Sequence, residues 1–219
     1  MTKFPCLILD HDDTVVQSEA TINYPFFCQI LDAFRPGATI TLQEYIQGCS
    51  DLGFVPMCKE RFSFTDEELV WEYKGWKEYI RSHIPLPYAG IADVIRRQVA
   101  EGGKVFVISM SSEENIRRDY LTHFQTEPDG IYGWDLAQEH RKPSPYAVHQ
   151  IMKLHGYRPD EVLVVDDMKP AWEMARTAGV AIGFAAWGRL EYPKILEQMS
   201  ALCDHTFYST QELSEFLFG

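Results

Sequence analysis

Two aspartates near the start of the chain are placed where they could carry out chemistry together. Asp10 and Asp12 follow the apolar run Cys6–Leu9 and are separated by a single residue. Because alternate residues of an extended chain point to opposite sides, the two carboxylates can face the same side. Neighbouring carboxylates repel each other unless a cation lies between them or one of them takes up a proton. The pair therefore predicts a cation site, and Mg²⁺ suits it because this ion prefers oxygen ligands.

Four more polar residues stand beside apolar segments later in the chain: Ser109, Lys142, Asp166 and Asp167. The serine and the two aspartates directly follow apolar runs, and the lysine precedes a Pro-Ser-Pro sequence typical of a helix start. A serine hydroxyl can donate a hydrogen bond to a phosphoryl oxygen, and a lysine can balance the charge of a phosphate and of Asp10. The aspartates can supply further oxygen ligands to the cation. Together these residues predict a site for a phosphate ester and a divalent cation.

The elements that would position these residues alternate between apolar runs and helical patterns after residue 87. The predicted strands span residues 6–9, 104–108, 131–132, 162–165 and 180–184. Helices are predicted between them, and a last helix follows Ser209. This alternation predicts an α/β fold, a Rossmann-like parallel sheet with helices on both faces. Ligands bind at the carboxyl ends of the strands in such sheets, so the polar residues are expected to meet at one edge.

The segment between the first two strands has a different character, with many aromatic residues, helical spacing and no clear strand pattern. Capping-box sequences predict helix starts at Thr41 and Thr65, each with a glutamate three residues later. We therefore predict a core domain formed by residues 1–15 and 88–219, and an inserted α-helical cap formed by residues 16–87.

Composition limits the possible partners and locations of the protein. The 219 residues include 20 Lys and Arg against 32 Asp and Glu, for a net charge of −12, and the basic residues form no stripe. Nucleic acid is therefore an unsuitable partner. The first apolar segment is too short for a signal peptide, and no later segment is predicted to span a membrane. Five cysteines without a paired motif are typical of free thiols in a reducing compartment, which predicts a cytoplasmic protein.

Four sequence motifs, in this order, resemble those of the haloacid dehalogenase superfamily of phosphohydrolases. They are residues 7–14 (LILDHDDT), 107–109 (VIS), 141–145 (RKPSP) and 164–167 (VVDD). The motifs extend over most of the chain, and the helical insert is similar to the C1-type cap of the β-phosphoglucomutase and phosphoglycolate phosphatase subfamily. One such motif would be weak evidence, whereas four in the family's order are specific.

The resemblance implies a magnesium-dependent phosphatase that acts on a small phosphorylated metabolite, which the cap usually selects in this family. Asp10 would attack phosphorus to give an aspartyl-phosphate, and Asp12 would protonate the leaving oxygen and then activate water. Ser109 and Lys142 would bind the transferring phosphoryl group and neutralise its charge.

The resemblance also implies the ligands of the Mg²⁺ ion. Asp10 and Asp12 would both contribute, Asp12 through its backbone carbonyl, together with an acid from the last motif. Asp166 and Asp167 are both candidates for that position, and the sequence leaves the choice between them open. No residue pattern predicts an oligomeric state.

Three positions depart from the family pattern. His11 replaces a residue that is commonly apolar, and because it should face away from Asp10 and Asp12 we expect a structural role for it. Asp13 stands where the family often has glycine. The last motif commonly has a second acid four residues after the first, and that position is Ala171 when counted from Asp167.

Alternative functions share some or all of these motifs. A phosphomutase of the β-phosphoglucomutase type would use the same residues and pass the phosphoryl group to a sugar hydroxyl instead of water. A non-catalytic member would bind phosphorylated metabolites, although such members usually lack one of the two catalytic aspartates, and both are present here. The dehalogenase branch fits less well because it works without Mg²⁺. A receiver domain fits less well because its acidic pair lies on a different early strand and no helical insert follows.

Overall fold

The centre of the molecule is a six-stranded sheet in which every neighbouring pair of strands is parallel. The structure, a computed structural model, describes residues 2–219. The strands are β1 (Cys6–Leu9), β2 (Lys104–Ile108), β3 (Gly130–Tyr132), β4 (Val162–Asp166), β5 (Ala181–Ala185) and β6 (His205–Phe207). Their order in the sheet is β3-β2-β1-β4-β5-β6, with β1 paired to both β2 and β4. The predicted α/β class and parallel Rossmann-like sheet are confirmed.

Helices cover both faces of this sheet. The first four helices, α1 to α4, belong to the segment between β1 and β2 and are described below. The helices that follow them are α5 (Ile91–Ala100), α6 (Glu113–Phe124), α7 (Tyr146–His155), α8 (Lys169–Ala178), α9 (Pro193–Leu202) and α10 (Thr210–Phe218). Leu7 and Leu9 of β1 pack into one apolar cluster with α5, α6 and α10, whereas Ile8 packs on the other side with α7 and α8. Both faces of the strand are buried, which explains its continuous apolar sequence.

The sequence predicted the last part of the sheet incompletely. The strand predicted at 180–184 lies one residue later, and α9 and β6 were not predicted. Strand β6 has only three residues and lies at the edge of the sheet, so its apolar signal is too short to distinguish it from a loop. Among residues 2–219, every helix is too short or too polar to cross a lipid bilayer.

Internal contacts divide the chain into two compact units. One comprises the chain up to Gln17 and from Leu86 to Gly219, and the other comprises Ser18–Pro85. These limits lie close to those predicted for the core (1–15 and 88–219) and the cap (16–87). That the first unit is the catalytic core and the second a substrate-selecting cap stays a prediction.

The second unit is helical. A short π-helix at Glu19–Asn23 leads into α1 (Tyr24–Phe34), followed by α2 (Leu42–Leu52), α3 (Phe54–Phe62) and α4 (Asp66–Ser82). The side chains of Thr41 and Thr65 accept hydrogen bonds from the backbone three residues later, so both predicted capping boxes are present. The unit has an aromatic core in which the ring of Phe27 lies 5.1 Å from that of Tyr45.

Glu72 on α4 makes the stability of the protein dependent on pH. Burial raises the pKa of this carboxyl from 4.5 to about 7. Because the folded state holds the proton more tightly than the unfolded chain, this group's contribution to stability is lost as pH rises from about 4.5 through about 7. The stability advantage of Glu72→Gln over wild type should therefore grow by about 2–3 kcal/mol when the pH is raised from about 5 to about 8. Chemical denaturation at the two pH values measures this difference.

Glu67→Gln, an exposed position on the same helix, is the matched control and should show no such pH-dependent gain. If the two variants respond to pH in the same way, Glu72 does not carry the buried proton.

Candidate active site

The side chains predicted for the site are held at the carboxyl edge of the sheet by the strand hydrogen bonds themselves. The amide of Asp10 donates to the carbonyl of Val165 at 2.9 Å, which extends the β1–β4 ladder by one residue. On the other side of β1, the amide of Ser109 donates to the carbonyl of Tyr132 at 3.1 Å. Asp10 and Ser109 therefore lie directly at the carboxyl ends of β1 and β2, as the sequence predicted.

Lys142 connects the first and last acidic motifs. Its Nζ atom lies 2.6 Å from Oδ1 of Asp10 and also donates to Oδ2 of Asp166. The lysine side chain is only 5 % exposed, so the three charges compensate one another away from solvent. Although burial lowers the pKa of Lys142, the two carboxylates raise it above its usual value, and the lysine stays protonated.

A second cation, which the sequence analysis did not identify, makes the equivalent connection beside it. Nη1 of Arg189 donates to Oδ2 of Asp13, and Nη2 donates to Oδ2 of Asp167. Arg189 is 4 % exposed. It follows β5 by four residues, and this place near the end of a predicted strand could have marked it as a candidate without identifying its partners.

The loop after β1 adopts a backbone conformation that brings Asp13 to this arginine. Asp13 has a φ of 53°, in the left-handed region that glycine enters at least cost and that aspartate tolerates better than most residues. The family's frequent glycine at this position has the same conformational explanation. Here the aspartate adds a carboxylate that pairs with Arg189.

His11 pairs with an acid outside the predicted site. Its Nε2 atom is 3.0 Å from Oδ2 of Asp119 on α6, and both side chains are buried. The contact anchors the residue between Asp10 and Asp12 to a neighbouring helix. Asp119 gave no signal in the sequence because an acid in the middle of a helix is common on solvated surfaces.

The buried charges at this edge do not cancel. Four carboxylates, those of Asp10, Asp13, Asp166 and Asp167, are buried with the two cations Lys142 and Arg189, which leaves a formal charge of −2 when all are ionised. Burial raises the pKa of Asp10 well above its usual range, against the opposing effect of Lys142, and the neighbouring carboxylates raise it further. Burial likewise raises the pKa of Asp166. A further positive charge would let these acids stay ionised.

Three of these carboxylates are close enough to hold that charge as a metal ion. Asp10, Asp166 and Asp167 each offer an oxygen, and the three oxygens lie within 4.8 Å of one another. An all-carboxylate set with a residual charge of −2 fits a hard divalent cation. The side chain of Asp12 is not among these three, and its residue is partly exposed.

The structure therefore brings together most of the residues that the sequence selected. Asp10, Lys142 and Asp166 are in direct contact, and Asp167 lies beside them. Ser109 lies at the end of the strand next to β1, where its Oγ accepts a hydrogen bond from the amide of Ser111 at 3.1 Å. The roles assigned to these residues stay predictions.

A family comparison decides which group of proteins the chain belongs to. The family model of the haloacid dehalogenase-like hydrolases matches residues 7–185, which includes all four motifs. The chain belongs to this family. The predicted family and its enzyme class, a hydrolase, are confirmed.

Individual relatives agree with this membership. A phosphoglycolate phosphatase of Aquifex aeolicus is 25% identical over 200 residues, which is 88% of each chain. A haloacid dehalogenase-like protein of unknown function from Agrobacterium tumefaciens has a similar structure, with a TM-score of 0.78 over 97% of this chain and 96% of that one at 18% identity. CbbY from Rhodobacter sphaeroides, crystallised with phosphate, gives a TM-score of 0.72 over 96% of both chains at 17% identity. These structural likenesses support the fold.

Removal of the lysine charge should destabilise the edge of the sheet. Lys142→Met leaves Asp10 and Asp166 buried without their shared cation, and we expect a loss of about 3–5 kcal/mol in the free energy of unfolding without added metal. Urea denaturation at neutral pH measures the loss. Lys153→Met, at an exposed position on α7, is the control and should change stability by less than about 0.5 kcal/mol. Equal stability of the two variants would contradict the proposed charge compensation.

Proposed function

We propose that this protein is a Mg²⁺-dependent phosphatase that hydrolyses a small-molecule phosphate monoester through an aspartyl-phosphate on Asp10. The observation that carries the proposal is the position of Asp10, whose buried carboxylate lies against Lys142 and within reach of two further carboxylates at the end of β1. Membership of a hydrolase family and the identity to a phosphoglycolate phosphatase support the same reaction class.

Asp10 and Asp12 would divide the chemistry between them. An oxygen of Asp10 attacks phosphorus, the bond from phosphorus to the ester oxygen breaks, and Asp12 gives that oxygen its proton. Asp12, now ionised, takes a proton from water as the water attacks phosphorus. The phosphoryl–Asp10 bond then breaks, which releases inorganic phosphate and restores both carboxyl groups to their starting states. The environments of the two residues suit these roles, because Asp10 is 6 % exposed whereas Asp12 is partly open to solvent.

Lys142 and Ser109 would hold the transferring group. The ammonium group of Lys142 is fixed by Asp10 and Asp166, so it can balance charge on the phosphoryl oxygens without having to reorganise during the reaction. The hydroxyl of Ser109 accepts from the Ser111 amide, which leaves its proton available to donate to a phosphoryl oxygen.

Asp10 and Asp167 are the side chains best suited to hold Mg²⁺, with the backbone carbonyl of Asp12 as a third ligand. Both oxygens of Asp166 are engaged by close donors, Lys142 and the amide of Met168 at 2.8 Å. Oδ1 of Asp167 instead accepts a long hydrogen bond of 3.5 Å from Thr14, which a cation can displace. Bound Mg²⁺ would neutralise charge that develops on the phosphoryl oxygens.

Substrates should be small phosphorylated metabolites. The relatives include a phosphoglycolate phosphatase, and a mutant of CbbY has been crystallised with xylulose-1,5-bisphosphate. The first compounds to test are therefore a phosphorylated two-carbon acid and a sugar bisphosphate, within a wider panel of phosphate monoesters.

Phosphate release with and without Mg²⁺ tests the proposal. The wild-type protein should release inorganic phosphate from at least one member of the panel with Mg²⁺ and lose this activity with a chelator. Asp10→Asn should lower kcat/KM by at least about 1,000-fold because the nucleophile is lost. Asp12→Asn should lower it by about 100- to 10,000-fold through loss of proton transfer.

Asp160→Asn, at an exposed position outside the four motifs, is the matched control and should retain full activity. The proposal fails if wild type and Asp10→Asn release phosphate at equal rates from every compound. Turnover that a sugar bisphosphate primes without release of phosphate would instead identify the phosphomutase alternative.

A further inference from the structure

We infer that Arg189 is a positioning residue for the metal ligand Asp167, which it holds through a salt bridge shared with Asp13. The inference rests on the proposed function, because it assigns Asp167 to the Mg²⁺ site. Arg189 belongs to none of the four motifs.

The contacts of Arg189 connect the two loops that must lie together to form the cation site. Asp13 belongs to the loop after β1 and Asp167 follows β4, and the guanidinium group donates to one carboxylate oxygen of each. The three side chains are almost completely buried. Lys142 bridges Asp10 and Asp166 in a similar way, so two cations connect the carboxyl ends of β1 and β4 at adjacent points.

Only one oxygen of Asp167 is used by the arginine. Oδ2 accepts from Nη2 of Arg189, whereas Oδ1 has the long contact with Thr14. The arginine therefore fixes the rotation of the carboxylate while leaving Oδ1 suitable for a cation. A carboxylate that has to bind a small ion with strict geometry gains affinity when its orientation is fixed beforehand.

The turn that carries Arg189 is built against the loop after β1. A 3₁₀ turn at Ala186–Gly188 follows β5, and Nε1 of Trp187 donates to the carbonyl of Thr14 at 3.1 Å. A Cβ atom at Gly188 would lie 2.5 Å from the backbone oxygen of Asp13, so only glycine permits this approach. The turn is thus fixed at two points immediately before the arginine.

Arginine suits this position better than lysine would. Its planar group presents two N–H donors in a fixed arrangement, one for each carboxylate, whereas a lysine ammonium on a flexible stem does not fix their orientation.

The charge of Arg189 and its effect on the orientation of Asp167 have opposite consequences for the binding of a metal ion. Loss of the positive charge alone would strengthen cation binding, while loss of orientation would weaken it, and we expect orientation to dominate.

Direct measurement of Mg²⁺ binding by isothermal titration calorimetry, with Mg²⁺ alone and no substrate, tests the inference. Arg189→Lys and Arg189→Met should both bind Mg²⁺ about 10- to 100-fold more weakly than wild type. Arg158→Met, which removes an arginine that is 71 % exposed, should leave the affinity unchanged. Asp13→Asn should weaken binding by a smaller factor because its amide oxygen still accepts from Arg189.

Activity at increasing Mg²⁺ gives a second readout that damage to the fold would not reproduce. If Arg189 only positions a metal ligand, the kcat of Arg189→Lys should approach that of wild type at saturating Mg²⁺.

If Arg189→Met fails to fold, the binding measurements on Arg189→Lys and Asp13→Asn still test the inference. Unchanged or tighter Mg²⁺ binding in the arginine variants would overturn the inference. A wild-type protein that binds Mg²⁺ but hydrolyses no phosphate ester would instead refute the proposed function alone.

Discussion

The site depends on the compensation of buried carboxylates by two buried cations. Four acids at the carboxyl ends of β1 and β4 are buried at one edge of the sheet, and isolated charges in such a position would be strongly unfavourable. Lys142 joins Asp10 to Asp166, the last residue of β4, and Arg189 joins Asp13 to Asp167, which directly follows β4. The remaining charge of −2 would suit a divalent cation, so the same contacts that connect the ends of β1 and β4 would also prepare the proposed metal site.

The parallel sheet explains why these groups meet. β1 lies between β2 and β4, so the residues after these three strands emerge side by side although they are far apart in the chain. The apolar strands hold the backbone rigidly up to Leu9 and Val165, and the ladder continues to Asp10. The polar residues thus start from a fixed edge, and only the short loops beyond it decide their final orientation.

Much of this arrangement could be predicted from the sequence, and the reason is local. The apolar runs of β1, β2 and β4 are buried on both faces and are unmistakable, and the residue that follows each one must lie at the same edge. Arg189 could not be assigned in the same way, because a single arginine after a tryptophan and a glycine has many possible partners. The pairing of His11 with Asp119 depends on which side of α6 faces the loop, and a sequence pattern does not fix this. Strand β6 has too few residues to give a pattern.

The central claim, that Asp10 becomes covalently phosphorylated, is tested most directly by chemical trapping of the intermediate. The protein would be mixed with Mg²⁺ and an active substrate, quenched during turnover, and treated with borohydride, which reduces an acyl phosphate to an alcohol. Peptide mass spectrometry should then find residue 10 converted to homoserine, in amounts that rise with substrate and vanish without it. Reduction at another residue, or steady release of phosphate with residue 10 unmodified under conditions that trap acyl phosphates, would contradict the account.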